Sequence, residues 1–286
     1  MKASRWLVLW TMAAVLWGVA VVVVCGAGTG WAAEEAGGLT AVQLCDTQLG
    51  MGGYEHDLAT FKLAVQQINA MKPDLVFICG DLVNDGDSDE AFKDFLEVKA
   101  GLQVPVYCVP GNHDISGAPT PALLERYRDL VGKDYYAVEA KGFTFVAVNT
   151  QLWKAPVAGE TEKQDAWLKQ TLEAARAKGS PVIVVGHYPL FLEAADEKEE
   201  YFNLPVKVRA ELLALFKECG VVAVWAGHTH RNGVAEYEGI QVVATATTSR
   251  NFDGAPMGYR VWHLSGERPY KHEYVAVDGA EPPADK

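Results

Sequence analysis

The chain has 286 residues of near-average composition and a net charge of −12, long enough for one large α/β domain with a full core. That charge argues against nucleic acid as a partner, because a phosphate backbone demands a basic surface. It leaves phosphorylated substrates open, since bound cations invert the local field.

Lys2 and Arg5 precede an uncharged apolar run over residues 6–30, and small residues around Trp31-Ala32-Ala33 lead into Glu34-Glu35. This layout predicts that residues 1–33 are a secretory signal peptide, cleaved after Ala32 or Ala33. The run also reaches the roughly 20 residues that span a bilayer, so an uncleaved N-terminal anchor is the rival reading. Both place the folded domain outside the cytoplasm, whether periplasmic, extracellular or anchored facing outward. Membrane contact is expected only through an uncleaved segment.

A strand pattern over residues 41–45 opens the domain. Leu58, Phe61, Val65 and Ile68 recur at helical spacing and predict a helix over 56–71, broken by Pro73. A strand at 75–79, a helix at 91–98 and a strand at 104–109 follow, then a short helix at 121–130. Lys141-Gly142 joins strands at 135–139 and 143–148 as a hairpin does. Next come a helix at 162–178 with Trp167, Leu168 and Leu172 inward, a strand at 181–185, a helix at 205–218 and a strand at 221–226. Strands alone fill 233–238, 240–246, 259–264 and 270–277, and residues 278–286 read as a flexible tail. The pattern predicts one α/β domain over 38–277, with two mixed β-sheets packed together and helices outside. Cys45, Cys79 and Cys108 end strand patterns and Cys219 closes a helix pattern, so these cysteines read as small buried hydrophobes. His56, His263 and His272 have no partner motif and read as surface or packing residues.

Five strand ends deliver metal-ligand residue types: Asp46, Gly80-Asp81, Gly111-Asn112-His113-Asp114, Gly186-His187 and Gly227-His228-Thr229-His230. Open α/β sheets gather ligands at that edge, and Asp, Asn and His suit divalent metals of borderline hardness. The set reads as a two-metal hydrolase. Two dications about 3.5–4 Å apart need a shared anion, and Asp81 is the expected bridge. Asp46 and His230 would complete one metal, and Asn112, His187 and His228 the other. His228 and His230 are two apart and would share a face of an extended segment. His113 is the expected general acid, with Asp114 orienting its imidazole. The metals would turn a bound water into the hydroxide that attacks phosphorus.

These residues resemble the calcineurin-like metallophosphoesterase family, whose motifs run Asp-x-His, Gly-Asp-x-x-Asn/Asp, Gly-Asn-His-Asp/Glu, Gly-His and Gly-His-x-His. Asp46, Gly80–Asn84, Gly111–Asp114, Gly186-His187 and Gly227–His230 meet them. The resemblance implies the four-layer metallophosphoesterase fold, hydrolysis of phosphate esters, and two divalent metal ions. Gln48 stands where most members carry His. A neutral oxygen in place of nitrogen would favour Mn²⁺ or Mg²⁺ over Zn²⁺ or iron, or would leave that site weakly held if Gln48 does not bind. The same Asp-Thr-Gln, with Asn149–Leu152, Gln164–Leu168 and Tyr201–Leu204, is similar to a subgroup of Ser/Thr protein phosphatases. That resemblance implies a phosphomonoester substrate, a small molecule or a phosphoprotein. A phosphodiesterase acting on cyclic nucleotides or lipid headgroups, and a non-catalytic binding protein if Gln48 disables the first metal site, are the alternatives. Purple acid phosphatases fit less well, because Asn84 stands where they carry a Tyr ligand; Asn84 is expected to steady the loop around Asp81.

Residues 189–203 follow a ligand turn directly and should overhang the site. Glu193, Asp196, Glu197, Glu199 and Glu200 there would repel polyanions or form a solvated acidic loop. Tyr188, Phe191, Tyr201 and Phe202 are candidates for the cleft wall or for core packing. Arg250 is a candidate phosphate donor, or a surface ion-pair residue.

Overall fold

In chain order the elements are β1 (Leu39–Leu44), α1 (Tyr54–Met71), β2 (Leu75–Cys79), α2 (Asp89–Lys99), β3 (Val106–Val109) and α3 (Pro121–Leu130). Then come β4 (Tyr136–Ala140), β5 (Phe143–Ala147), α4 (Gln151–Lys154), α5 (Glu160–Lys178), β6 (Val182–Val185), α6 (Val206–Cys219) and β7 (Val221–Ala226). The chain finishes with β8 (Gly233–Tyr237), β9 (Ile240–Ala244), β10 (Gly258–Leu264) and β11 (Lys271–Ala276). These come from a computed structural model that describes residues 38–266 and 268–284. The leader expected at residues 1–33 lies outside the described residues.

One sheet has the order β11-β10-β1-β2-β3 and the other β4-β5-β6-β7-β9-β8. In the first, β1, β2 and β3 run parallel and β10 and β11 antiparallel. In the second, β5, β6, β7 and β9 run parallel, with β4 and β8 as antiparallel edges. Both sheets are therefore mixed, as expected. β2 and β7 are buried at every residue, which parallel strands covered on both faces require.

Three apolar layers separate the elements. α1 and α2 pack on the first sheet through Phe61, Ile68, Phe92 and Phe95, and α5 and α6 on the second through Leu168, Leu172, Leu213 and Phe216. Between the sheets lie Phe77, Phe145, Trp225 and Trp262, the two indoles stacked at 5.0 Å. Gln43 crosses this apolar layer with all its polar atoms satisfied. Its Nε2 donates to the carbonyls of Ala226 (2.9 Å) and Val243 (3.1 Å), and its Oε1 accepts from Trp262 Nε1 (2.9 Å). A buried amide left unpaired costs several kcal/mol, so Gln43 fixes how β1 and β7 lie across from each other. Their C-terminal ends then meet.

Local signals place the helix ends. Ser88 accepts from the Ala91 amide to cap α2, and Thr120 accepts from Leu123 with Pro121 in the first turn of α3. Trp167, expected to point inward from α5, is only half-buried, its ring 4.9 Å from Tyr135. Gln164 takes the inward position, accepting from Asn149 N (2.8 Å) and donating to the Asn149 carbonyl (3.1 Å). The helical α4, where the sequence showed no pattern, rests on this pairing. Past β11 the chain runs back over α1: Asp278 N donates to Gln67 Oε1 (2.9 Å), and His56 Nε2 meets the Glu281 carbonyl at 2.7 Å. The four described cysteines are all buried and none forms a disulfide. No helix among the described residues is long and apolar enough to cross a membrane.

Candidate dinuclear metal centre

The C-terminal ends of β1, β2, β3, β6 and β7 converge, and the chain leaves them through strained turns. Asp46, Gln48, Asp81, His228 and His230 all have positive φ, at 48°, 34°, 49°, 66° and 54°. Such conformations cost of order 1–3 kcal/mol at non-glycine residues and persist where surrounding structure over-determines them. His228 and His230 therefore do not share the face of an extended segment, as the spacing suggested. The left-handed turns aim them into different ligand groups.

Those groups are two. Asp81, His187 and His228 bring ligand atoms within 4.8 Å of one another, and so do Asp46, Asp81 and His230. Asp81 belongs to both. All five side chains are buried, none more than 4% exposed. Asn112 joins the first group, its Oδ1 3.1 Å from His187 Nε2, which also lies 3.3 Å from Asp81 Oδ2. His230 Nε2 lies 3.6 Å from Asp46 Oδ1.

Backbone carbonyls choose which imidazole nitrogen faces inward. A carbonyl only accepts, so the nitrogen against it carries the proton and the other presents a lone pair. His187 Nδ1 donates to the Cys79 carbonyl (2.8 Å) and His230 Nδ1 to the Arg250 carbonyl (2.6 Å), leaving both Nε2 atoms inward. His228 has its Nε2 3.4 Å from the Tyr201 carbonyl, so Nδ1 is its free nitrogen. Ser249 Oγ donates to the Asp46 carbonyl (2.9 Å), tying the loop after β9 to the first ligand. Nothing in the sequence signals these partners, because three of the four are main-chain oxygens.

The electrostatics call for cations. Burial pushes the Asp46 carboxyl well up, and burial with the charge of Asp81 lifts Asp114 to about 7. Burial also opposes the charge on Asp81, but His187, His113 and His228 outweigh it and hold that carboxyl below the usual range. Burial likewise opposes the charge on His187, yet Asp81 and Asp46 raise it to about 10. His228 and His230 are pushed down, chiefly by burial, which keeps them in the neutral form that binds metal. Gln48 fits the same picture. Its Nε2 donates to Asn84 Oδ1 (3.2 Å), while its Oε1 is buried without a partner. An orphaned buried carbonyl costs about 1–3 kcal/mol, and a cation removes that cost. The donor set suits a divalent pair, with one carboxylate common to both halves.

His113 stands at the rim, half-buried. Its amide donates to Asp81 Oδ1 (2.9 Å) and its Nδ1 to the Asn84 carbonyl (2.9 Å). Asp114 does not orient this imidazole, contrary to the expectation from its position. Its Oδ1 accepts from Leu82 N (2.8 Å) and Val83 N (3.1 Å), and its Oδ2 from Gly111 N (2.7 Å). A carboxylate that satisfies three amides has little left for a side chain, so Asp114 shapes the turn that carries Asp81. Asn84 steadies the loop from both its side chain and its carbonyl.

The overhanging insert is ordered by one of its acids. Glu197 accepts from the amides of Leu192 (2.7 Å), Glu193 (2.8 Å) and Ala194 (3.0 Å), and from Asn203 Nδ2 (2.7 Å). Arg209, fully buried, donates to the carbonyls of Ala195, Glu197 and Leu204. The segment is therefore a built wall, and Glu197 turns inward rather than facing a ligand. Tyr188, Tyr201 and Phe202 surround His228, with ring centroids at 4.0, 5.0 and 5.4 Å.

Two sheets between helix layers, with a carboxylate shared by two imidazole-containing ligand groups, define a dinuclear metallohydrolase. The family described as calcineurin-like phosphoesterase matches residues 40–232. The chain belongs to that family and is a metal-dependent phosphoesterase. It is 31% identical over 269 residues to the serine/threonine-protein phosphatase CPPED1 of Danio rerio, covering 86% of this chain and 87% of that one. It is 32% identical over 246 residues to the Homo sapiens protein of the same name, covering 82% and 77%. Among solved structures, a dimetal phosphatase from Danio rerio superposes with a TM-score of 0.62 at 18% identity, covering 84% and 99%.

Proposed function

We propose that this chain is an exported phosphomonoesterase acting on phosphoserine and phosphothreonine in proteins, and that His113 is its general acid. The observation that carries the reading is the position of Asp81, common to both ligand groups and bonded through Oδ1 to the amide of His113. Likeness to Ser/Thr phosphatases over most of both chains supports the substrate class.

Asp46, Asp81, His230 and the Gln48 carbonyl would hold one divalent ion, and Asp81, Asn112, His187 and His228 the other. Mn²⁺ is favoured, ahead of iron, Zn²⁺ and Mg²⁺, because Gln48 adds oxygen rather than nitrogen. When bound, such a pair supplies Lewis acidity toward phosphoryl oxygens and lowers the pKa of a coordinated water. The chain's own part begins with position. The Asn84 carbonyl holds Nδ1–H of His113, so Nε2 is the atom that carries the transferable proton. As the bond from phosphorus to the ester oxygen breaks, that proton passes to the leaving alkoxide and the alcohol departs neutral. Asp81 fixes His113 by its amide, so acid and ligand are set against each other by one hydrogen bond between the turns after β2 and β3.

Export rests on the apolar run behind Lys2 and Arg5. Fractionation of expressing cells with N-terminal sequencing of the product tests it, and a cytoplasmic product would refute it. The catalytic reading is tested with the full chain and Mn²⁺ on p-nitrophenyl phosphate, a phosphothreonine peptide and bis(p-nitrophenyl) phosphate. Hydrolysis of both monoesters, slower turnover of the diester, and loss of activity in Asp81→Asn are expected. Preference for the diester would make the chain a phosphodiesterase. Metal binding without turnover would make it a binding protein.

A further inference from the structure

An exposed aromatic side chain rests on a ligand imidazole in each half of the centre. Phe252, 41% exposed, stacks on His230 with ring centroids 4.7 Å apart. Tyr201, 59% exposed, lies against His228 with ring centroids 5.0 Å apart, and its carbonyl meets the same imidazole. Each ring shields part of a histidine from water. Phe252 does so with a plain ring, so the shielding itself requires no hydroxyl. The hydroxyl of Tyr201 needs another reason.

Three observations bear on that hydroxyl. First, the groups that act on it are the Asp81 carboxylate and the Asn112 side chain, which puts it at the half of the centre that also holds His187 and His228. Asn112 turns its Oδ1 to His187 Nε2 (3.1 Å), leaving its amide nitrogen for the phenol. That nitrogen only donates, so the phenol oxygen accepts and its own proton stays available. Second, the turn that carries Tyr201 is pinned on both sides. Glu200 N donates to Asn203 Oδ1 (2.7 Å), and Lys154 Nζ donates to the carbonyls of Glu200 (2.7 Å) and Asn203 (2.8 Å). The phenol therefore needs little ordering when a ligand arrives. Third, a phenol is neutral, so it sets a donor beside the metal ligands without a charge that repels cations.

We infer that the Tyr201 hydroxyl is a phosphate-binding group of this site, donating a hydrogen bond to a nonbridging oxygen of the substrate phosphate. The inference rests on the phosphatase reading and makes a residue of the insert part of the substrate site. A hydrogen bond to a charged oxygen is roughly twice as strong as one between neutral groups. The contact is to the phosphate and not to the leaving group. Its loss should therefore slow aryl and alkyl phosphates alike, whereas loss of a proton donor falls on the alkyl ester.

The test compares the full chain with Tyr201→Phe, which keeps the ring over His228 and removes only the hydroxyl. Both are loaded with Mn²⁺ and assayed on p-nitrophenyl phosphate and a phosphothreonine peptide, and their affinity for inorganic phosphate is measured by calorimetry. Losing a hydrogen bond to a charged group predicts kcat/KM lower by about 10–100-fold, by the same factor on both esters. The Kd for phosphate should rise at least about tenfold, with metal content by elemental analysis unchanged. Parent-like rates and phosphate affinity in Tyr201→Phe overturn the inference, and a loss confined to Tyr201→Ala would assign the residue to shielding His228. A loss in Tyr201→Phe that comes with lost metal overturns it too, as does a loss on the peptide alone. A parent that binds phosphate but hydrolyses neither ester refutes the phosphatase reading, and the phosphate Kd of the two proteins then still decides the role of Tyr201. A parent without affinity for phosphate overturns both.

Discussion

Gly111 lies so close to Asp81 that a Cβ at this position would overlap the Oδ1 and amide of that carboxylate residue. The glycine is there for the approach of Asp81 and not for a special backbone angle. Gly111→Ala should therefore displace the shared ligand while the sheets stay folded. A displacement near 1 Å at a catalytic group costs about 10²-fold in rate. We expect at least that loss in kcat/KM with p-nitrophenyl phosphate, and less than two metals per chain by elemental analysis. Full activity with full metal content would show that the site tolerates the shift.

Gln48 keeps an unpartnered buried Oε1 beside the Asp46 group. If that oxygen is a ligand, Gln48→Ala should raise the Mn²⁺ concentration for half-maximal activity about 10–100-fold, the usual cost of losing a ligand-shell contact. Gln48→His should shift preference toward Zn²⁺ or iron; its positive φ of 34° is one that His adopts more readily than most residues. An unchanged metal titration in both variants would assign Gln48 to packing alone.

His113 is predicted to act on the leaving oxygen, so the cost of losing it depends on the leaving group. His113→Asn should reduce kcat on an alkyl phosphate about 10²–10⁴-fold, and much less on p-nitrophenyl phosphate, whose phenolate leaves without help. Metal content should not change. Equal losses on both esters would move His113 from proton donor to substrate positioning.

Glu197 makes a prediction about stability and pH. Burial works against its charge, but the amides of Glu193, Ala194 and Leu192 and the side chain of Asn203 outweigh it and hold the carboxyl below its ordinary 4.5. As pH falls, the unfolded chain takes up this proton first, so Glu197 contributes fully above about 4.5 and loses that contribution toward its depressed folded value. Glu197→Gln should cost roughly 1 kcal/mol at pH 7, and the gap from the parent should close below pH 4.5 in denaturant titrations. Faster amide exchange over residues 190–203 should accompany it. A gap that is constant with pH would remove the carboxylate from the account.

Much of this protein was legible before any coordinates. The alternation of buried strands and amphipathic helices announces two helix-flanked sheets, because parallel strands covered on both faces must be apolar throughout, as Leu75–Cys79 and Val221–Ala226 are. The ligand types at five strand ends announce a metal centre, because Asp, Asn and His at one sheet edge have few other uses. Trp167 and α4 were not legible: both turn on Gln164, a polar residue that a hydrophobic pattern assigns to the surface. Asp114 was misread because adjacency in sequence suggested contact with His113, whereas three amides brought up by the fold claim its oxygens.

By itself, then, the sequence determined the layers of the fold and the chemical types gathered at the site, since both depend on side-chain identity and local period. Only the tertiary structure decided which imidazole nitrogen each histidine presents, and that Glu197 builds a wall instead of a charged fringe. Those outcomes depend on carbonyls of Cys79, Asn84, Tyr201 and Arg250 and on amides near residue 193. Every residue carries such groups, so no residue type marks them; long-range packing alone selects the few that matter.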